Sequence, residues 1–584
     1  MYEFPEAFGQ TRLKPEGMAL LRWFADYFIR STFLENGEVI AFAHQVGDVN
    51  DHACGWMPPE LRLSSFCPRK AYFATHEKPA ADVVAATAAA LALTAAVYVE
   101  SGTDADFAAL CLDRAKALYR FARLYPKSIA DTSDGLYLGE YSSDKLAWAA
   151  LWLGIVTGDN SYFDHLVGDV RLWQDPTVWS QGYFSQYPGY DTPDEGWFES
   201  YTYVWRVARP AVFTKFAEVL RRMSQGLSAG HPATMLANKM AEIARNDALG
   251  WVDSINVSPG GFTLKFLDTW GSGRYNSAGQ FLSLIYAKAF PDDARAQDMK
   301  NWAHSQAKYL LGGNPLGVSY MNGFTSKYGT QPHHASSHAS FTGNVDEPSE
   351  NRHVLWGALV NGPADLSDGH VDKRGDFAAN EVTIDYNAAF LAALTANYAT
   401  TGSTHCPIPN FPPQETRLDE FYTTSTAPTT NGCVSQVTLA MVNESIHPPR
   451  YDETLTARFY INVSELIAAG VSPSTLSVRK VVDTAGIDTG TTTVAGPLRC
   501  PSDSNLWYVE LGFAGAKFWG EISTLTAPRT FKLEYGTGTG GGCVWNPSND
   551  YSTETLSGVE PVKNPRVTVY SQGKLIYGDE PKCL

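Results

Sequence analysis

DLSDGHVDKRGDFAANEVTIDYNAAFLAAL, Asp365 to Leu394, is the stretch whose reading decides the fold. Acidic residues recur at 365, 368, 372, 376, 381 and 385, and an apolar run with helical spacing follows them. A carboxylate just ahead of a packed helix is held by the fold yet open to a cleft. It sits between the positive helix N-terminus and neighbouring negative charges. Proteins place proton donors in this way, and Glu381 is the candidate. The bland alternative is an acidic loop with a capped helix behind it, and spacing alone does not separate the two.

Working outward, the first four hundred residues read as helices joined by long loops. Apolar residues at helical spacing predict helices over 15–29, 80–99, 104–124, 144–156, 210–224, 233–245, 277–289, 300–311 and 382–398. The uncharged run Val83 to Val99 touches the lower length limit for a membrane span. It is mostly Ala and Thr among amphipathic segments, so a buried core helix is expected and no membrane partner. No strand alternation stands out, which predicts a large all-α domain with its chemistry on the loops.

After Thr400 the composition changes. TGSTHCPIPNFPPQETRLDE reads as a Pro-rich linker. Short β-branched and aromatic runs then alternate with turns (VSQVTLAMV, LTARFYINV, STLSVRKVV, LWYVELGF, RTFKLEY, RVTVYSQGKLIYG), which predicts a β-sandwich.

Composition narrows the function. A net charge of −17 over 584 residues argues against a nucleic-acid partner. With 15 Trp, 29 Tyr and 29 Phe, flat rings are plentiful for covering the apolar faces of sugars. Eight cysteines form no CxxC pair, so a zinc site is not expected; those in the last third suggest disulfides of unreadable pairing. Sequons at Asn256, Asn443 and Asn462 permit glycosylation. The opening MYEFPEAFGQTRLKPEG shows no signal-peptide pattern, so the chain is either cytosolic or lacks its true N-terminus.

Three loops carry polar and aromatic clusters. QVGDVNDHACGW (45–56) brings Asp48, Asp51, His52 and Trp56 together without a metal-ligand spacing, and fits a sugar-contacting loop equally. WGSGRY (270–275) sets an indole, a guanidinium and a phenol ahead of a helix, for stacking or for plain packing. The 314–340 loop holds three histidines in six residues, but no Cys or carboxylate completes a zinc site.

In order along the chain, RWFADYFIR, QVGDVNDHACGW, ADVVAATAAALAL, YSSDKLAWAALWL, SPGGFTLKFLDTWGSGRYNSAGQFLSLIYA, LLGGNPLGVSYMNGF, PHH and DFAANEVTIDYNAAF resemble glycoside hydrolase family 9, inverting endoglucanases built on an (α/α)6 barrel. Asp372, Phe377, Glu381, Thr383, Asn387 and Ala388 fit its second signature, with His370 where an aromatic is usual. The resemblance implies catalytic roles for Glu381 as general acid, Asp372 as supporting carboxylate and His333, with His52, Trp270, Arg274, Tyr275 and Tyr386 lining sugar subsites. FPPQETRLDEFY, RFYINVSELIAAGVSPSTLSV, LWYVELGF, WNPSNDYS and VTVYSQGKLIYG resemble a family 3 carbohydrate-binding module of subtype c, an arrangement associated with processive endoglucanases. The expected chain is therefore a multidomain protein. An all-α (α/α)6 barrel over 1–402 is followed by a linker at 403–410 and an all-β sandwich over 411–584. It would be a secreted monomer acting on cellulose or a related β-glucan, without an organic cofactor.

Three departures qualify this. Asn322, Thr325 and Ala335 replace usual signature residues, Ala335 standing where an Arg clamp is common. Lys145 follows Asp144 where many members have a second acid of a calcium site, so no metal is expected there. The DAGD-type motif, whose aspartates activate water in the family, occurs nowhere in these residues. An inverting glycosidase needs both carboxylates. The resemblance thus implies a barrel incomplete at its N-terminus and leaves open a glucan-binding chain without turnover.

Overall fold

The computed structural model describes residues 1–62, 64, 67–128, 142–167, 203, 207–264, 270–340, 342–401, 409–484, 492–517, 529–538 and 543–583. The chain divides into two compact units, one spanning Met1–Ala53, Pro68–His334 and Val354–Gln414, the other Cys54–Cys67, Ala335–His353 and Glu415–Leu584. The expected linker at 403–410 lies mostly outside the described residues.

In the first unit the helix Ala81–Ser101 is apolar on every face, so it can only be stable when surrounded by protein. Ala85, Ala88, Ala92 and Ala95 let neighbours come close, and Ala105–Leu124 and Ser143–Thr157 pack against it. Gly102, with φ of +64°, ends the helix in the left-handed conformation that glycine adopts without strain. Two residues on, Asp104 starts the next by accepting the Phe107 N–H at 3.0 Å. Further on, Arg209–Met223 pairs with Pro232–Val252, and Ser272–Ala289 with Ala296–Leu310 and Ile384–Thr401. Val84, Leu91, Leu118, Leu151, Phe213 and Leu220 close the main core.

The absence of strands expected in this half is corrected. Thr32–Glu35, Glu38–Val46 and Ala71–Ala74 form an antiparallel three-stranded sheet. Asn36 and Gly37 turn the hairpin with φ of 50° and 82°, the pair of positive angles of a type I′ turn.

The second unit is a sandwich of antiparallel sheets. One runs in the order Lys574–Tyr577, Thr568–Ser571, Thr456–Asn462, Leu506–Gly512, Thr493–Arg499. The other runs Val562–Lys563, Phe421–Ser425, Val434–Asn443, Arg529–Gly536, Ser477–Thr484, with Thr429–Asn431 also paired to Val434–Asn443. Alternate residues point inward (Val437, Leu439 and Met441 from one sheet, Ala457, Phe459 and Ile461 from the other), the period of two that a half-buried strand needs. Disulfides join Cys54 to Cys67, Cys433 to Cys543 and Cys500 to Cys583, while Cys111 of the first unit is a buried free thiol. Asn443 is buried and donates to the Arg450 carbonyl at 2.9 Å, which leaves its sequon no room for a glycan.

The units do not follow a single cut near residue 402. Two segments that precede the sandwich in sequence, Cys54–Cys67 and Ala335–His353, are counted with it. Tyr451 donates its hydroxyl to the Leu61 carbonyl at 2.6 Å, and Arg352 pairs with Glu444 at 3.5 Å.

Candidate active site

The acidic stretch around Glu381 turns out to be divided labour. Asp365 accepts the Ser367 N–H at 2.7 Å and shapes a turn. Asp368 is buried and accepts the Tyr309 hydroxyl at 2.6 Å and the Gly260 N–H at 2.7 Å. Asp372 accepts the N–H groups of Thr330 and Gln331 at 2.7 and 2.9 Å, so it pins the loop that leads to His333. Asp376 caps the short helix Phe377–Asn380 through the Ala379 N–H, and Asp385 pairs with Arg274 at 3.0 Å. Five of the six acidic residues thus hold backbone or a cation in place.

Glu381 is held differently. It follows the helix Phe377–Asn380 in extended conformation, three residues ahead of Ile384–Thr401. Its backbone is fixed from two sides. The Asn361 N–H donates to its carbonyl at 3.2 Å, and the His333 N–H donates to the neighbouring Asn380 carbonyl at 2.7 Å, so 333 and 381 form a parallel bridge. One carboxylate oxygen, Oε2, accepts the Trp270 indole N–H at 2.6 Å and the Tyr386 hydroxyl at 3.0 Å. Burial, with the charge of Glu381 added, pushes the Tyr386 phenol well above its ordinary value, so it stays a donor. Two donors on one oxygen fix the carboxyl's rotation and leave the other oxygen to carry a proton.

Aromatic rings surround this carboxyl. Trp270 and Phe377 lie 5.1 Å apart between centroids, tilted 50° to one another, and are 45% and 47% exposed, so each offers an apolar ring face to a sugar. His333 packs on Phe377 at 6.0 Å and its Nδ1 lies 2.8 Å from the Arg374 carbonyl. Arg274 stacks on Tyr275 and Tyr386 at 4.3 and 4.8 Å. The structure therefore gathers Trp270, Arg274, Tyr275, His333, Asp372 and Tyr386 about Glu381, with Tyr275 also packed into the core beside Phe4 and Trp251. His52 is not joined to them by any hydrogen bond or ring contact among the described residues. It ends the short helix Val49–His52, where Asp48 accepts the Tyr72 hydroxyl at 2.7 Å and Asp51 pairs with Arg69 at 3.0 Å. His370 fills the aromatic position of the signature by packing on Tyr320 at 5.1 Å, and burial lowers its basicity. Phe377, named in the sequence only as a signature residue, is an exposed platform, and Asp385, named there only as one of the recurring acids, is the partner of Arg274; the fixed offsets of both from Glu381 were the available signal for these roles.

Residues 1–394 match the model of glycosyl hydrolase family 9, and residues 420–578 match that of the cellulose binding domain. The chain belongs to glycosyl hydrolase family 9. Its helical unit is of that family's (α/α)6 barrel type. This family 9 chain is 31% identical over 586 residues to Endoglucanase 4 of Bacillus sp. (strain KSM-522), covering 100% of this chain and 84% of the relative. Endoglucanase A of Bacillus pumilus is likewise 31% identical, with 100% and 82% covered. Among solved structures, endoglucanase CelQ from Clostridium thermocellum complexed with cellotriose superposes with a TM-score of 0.83 at 25% identity, covering 99% of this chain and 88% of that one.

The family resemblance raised calcium beside Asp144. Lys145 Nζ donates to Asp144 at 3.0 Å and the Ala208 N–H donates to the same carboxylate at 2.7 Å, all of them buried. An ammonium already occupies the place a cation would take. The residues described at this position do not fit calcium.

Proposed function

We propose that this family 9 chain is an endo-β-1,4-glucanase that cleaves internal bonds of cellulose-type glucans with inversion, Glu381 serving as general acid. The observation that carries the acid role is the division of labour in the 365–394 stretch. Every other acidic side chain there is committed to a structural bond, whereas Glu381 is aimed by Trp270 and Tyr386 among exposed rings. In this reading a glucosyl face lies on Trp270 and Phe377. The free carboxyl oxygen of Glu381 protonates the leaving glycosidic oxygen. The Arg274–Asp385 pair holds the floor under Tyr386, and Asp372 and His333 keep the facing loop in register. Inversion also requires a second carboxylate about 6.5–9.5 Å away to deprotonate water. Asp372, Asp376 and Asp385 are each committed elsewhere, so that base is to be sought outside the 365–394 stretch.

The sandwich, as a cellulose binding domain, presents the chain to the same polymer. Three disulfides support a secreted protein, since such bonds persist in oxidising compartments. The test is reducing-sugar release from carboxymethylcellulose by the chain and by Glu381→Gln, with cello-oligosaccharide binding measured alongside. Glu381→Gln is expected to lose about 10²–10⁴-fold in rate and keep binding. Equal rates would refute the acid role. Binding without turnover by the unsubstituted chain would favour a glucan-binding protein.

A further inference from the structure

Inside the second unit, three side chains far apart in sequence converge. His353 Nδ1 lies 2.6 Å from Glu415 Oε2, and His447 Nδ1 lies 3.9 Å from the same oxygen. The rings of His353 and His447 meet edge to face at 5.2 Å. One ligand atom from each of the three falls within 4.8 Å of the others, and all three side chains are partly buried. We propose that His353, Glu415 and His447 bind a divalent zinc ion that fastens the loop ending at His353 to the sandwich.

The chemistry of the set points to zinc rather than calcium. Two imidazoles and one carboxylate are the ligands of a borderline-soft transition cation, with a fourth position left for water. Calcium takes six to eight oxygens, and this group offers one carboxylate. Around a tetrahedral ion with bonds of about 2.0–2.1 Å, neighbouring ligand atoms stand roughly 3.4 Å apart. The His447–Glu415 distance is already close to that. The His353–Glu415 contact is a hydrogen bond, and a cation would take the place of its proton while the two atoms part by less than an ångström.

Two further observations support a prepared site. The Nε2 atom of His447 is buried without a hydrogen-bond partner, a state that buried polar atoms rarely keep. The backbones are also fixed before any ion arrives. Glu420, held by Arg450 at 2.7 Å, accepts the His447 N–H at 3.1 Å, and His353 exchanges bonds with Ser337, N–H to carbonyl at 3.0 Å and hydroxyl to carbonyl at 3.3 Å. Ligands positioned by their surroundings in this way lose little freedom on binding.

The full chain, stripped with a chelator and dialysed against micromolar Zn2+ or Ca2+, should retain about one zinc per chain and no calcium at this site. Zinc about a hundredfold above its Kd should raise the thermal midpoint of the sandwich by roughly 5–10 °C. The paired substitution His353→Gln with His447→Gln should lose both the ion and the shift. Glu415→Gln, which keeps shape and hydrogen bonding, should weaken retention at least tenfold without unfolding the unit. No retained zinc in the unsubstituted chain, or the same retention in Glu415→Gln and the paired variant, would overturn the proposal.

Discussion

Replacing Gly273 by Ala tests how Glu381 is held, because the two are linked through a single backbone residue. Gly273 opens the helix Ser272–Ala289 with its N–H donating to the Asn361 carbonyl at 2.7 Å. A Cβ at 273 would run into that same carbonyl oxygen, far inside van der Waals contact. The obstacle is backbone, so the segment around 361 must retreat by roughly 1 Å or more. Asn361 in turn donates its N–H to the Glu381 carbonyl and its side-chain amide to the Ala378 carbonyl. Overpacking costs about 1–3 kcal/mol and the lost hydrogen bond about 1 kcal/mol, so a loss of about 2–4 kcal/mol is expected in urea denaturation. Displacing a catalytic group by about 1 Å can cost up to roughly a hundredfold, so the rate on carboxymethylcellulose should fall about 10–100-fold at a temperature where the variant is still folded. Gly9→Ala serves as control. It lies in the helix Pro5–Thr11 with open space around its Cβ, and should be neutral or stabilising by up to about 1 kcal/mol. Unchanged stability and rate for Gly273→Ala would refute the linkage.

Two further effects are expected. Thr325 has φ of +63°, a left-handed conformation that costs a β-branched residue strain; Thr325→Gly should raise stability by about 0.5–1 kcal/mol in chemical denaturation, and a lower midpoint would contradict the strain. His165 accepts or donates at 2.8 Å to the Tyr119 hydroxyl, and burial, with Arg123 adding its charge, pushes it down from 6.5 to about 4. The unfolded chain therefore takes up this proton first: the stability is complete above pH 6.5 and is lost as pH falls towards 4. After discounting for partial exposure this amounts to about 1–2 kcal/mol. His165→Phe should flatten denaturation midpoints between pH 6.5 and 4, and parallel pH profiles for the two proteins would exclude the effect.

What the sequence could reveal followed from how far each signal travels along the chain. The helix after Glu381 was legible because its apolar run is local and long; the structure places it at Ile384–Thr401, close to the expected span. Strands of the sandwich were legible by their alternation, and Val434–Asn443, Leu506–Gly512 and Arg529–Gly536 lie where the β-branched runs are. The sheet near the N-terminus went unseen although Asn36–Gly37 is a strong hairpin pair, because its strands have mixed faces and sit among helices. The jobs of Asp368 and Asp372 needed partners from other loops, at 260, 309 and 330, and no local pattern encodes these. His353, Glu415 and His447 are of the same kind, joined only by the fold. Disulfide pairing was unreadable for the same reason.

The three described disulfides all belong to one unit, and the described cysteine of the other is a free thiol whose burial pushes it up to about 12. A thiol so seldom ionised neither attacks nor exchanges. The choice of production host therefore acts on the two halves unequally. A reducing cytoplasm would withhold these cross-links from the cellulose-binding half, whereas the described thiol of the helical half would be indifferent to it. Preparations from such a host would contain molecules able to meet a soluble glucan but poorly equipped to stay on a solid one. The ratio of activity on soluble and crystalline substrate would then report the folding history of the sample as much as the specificity of the enzyme.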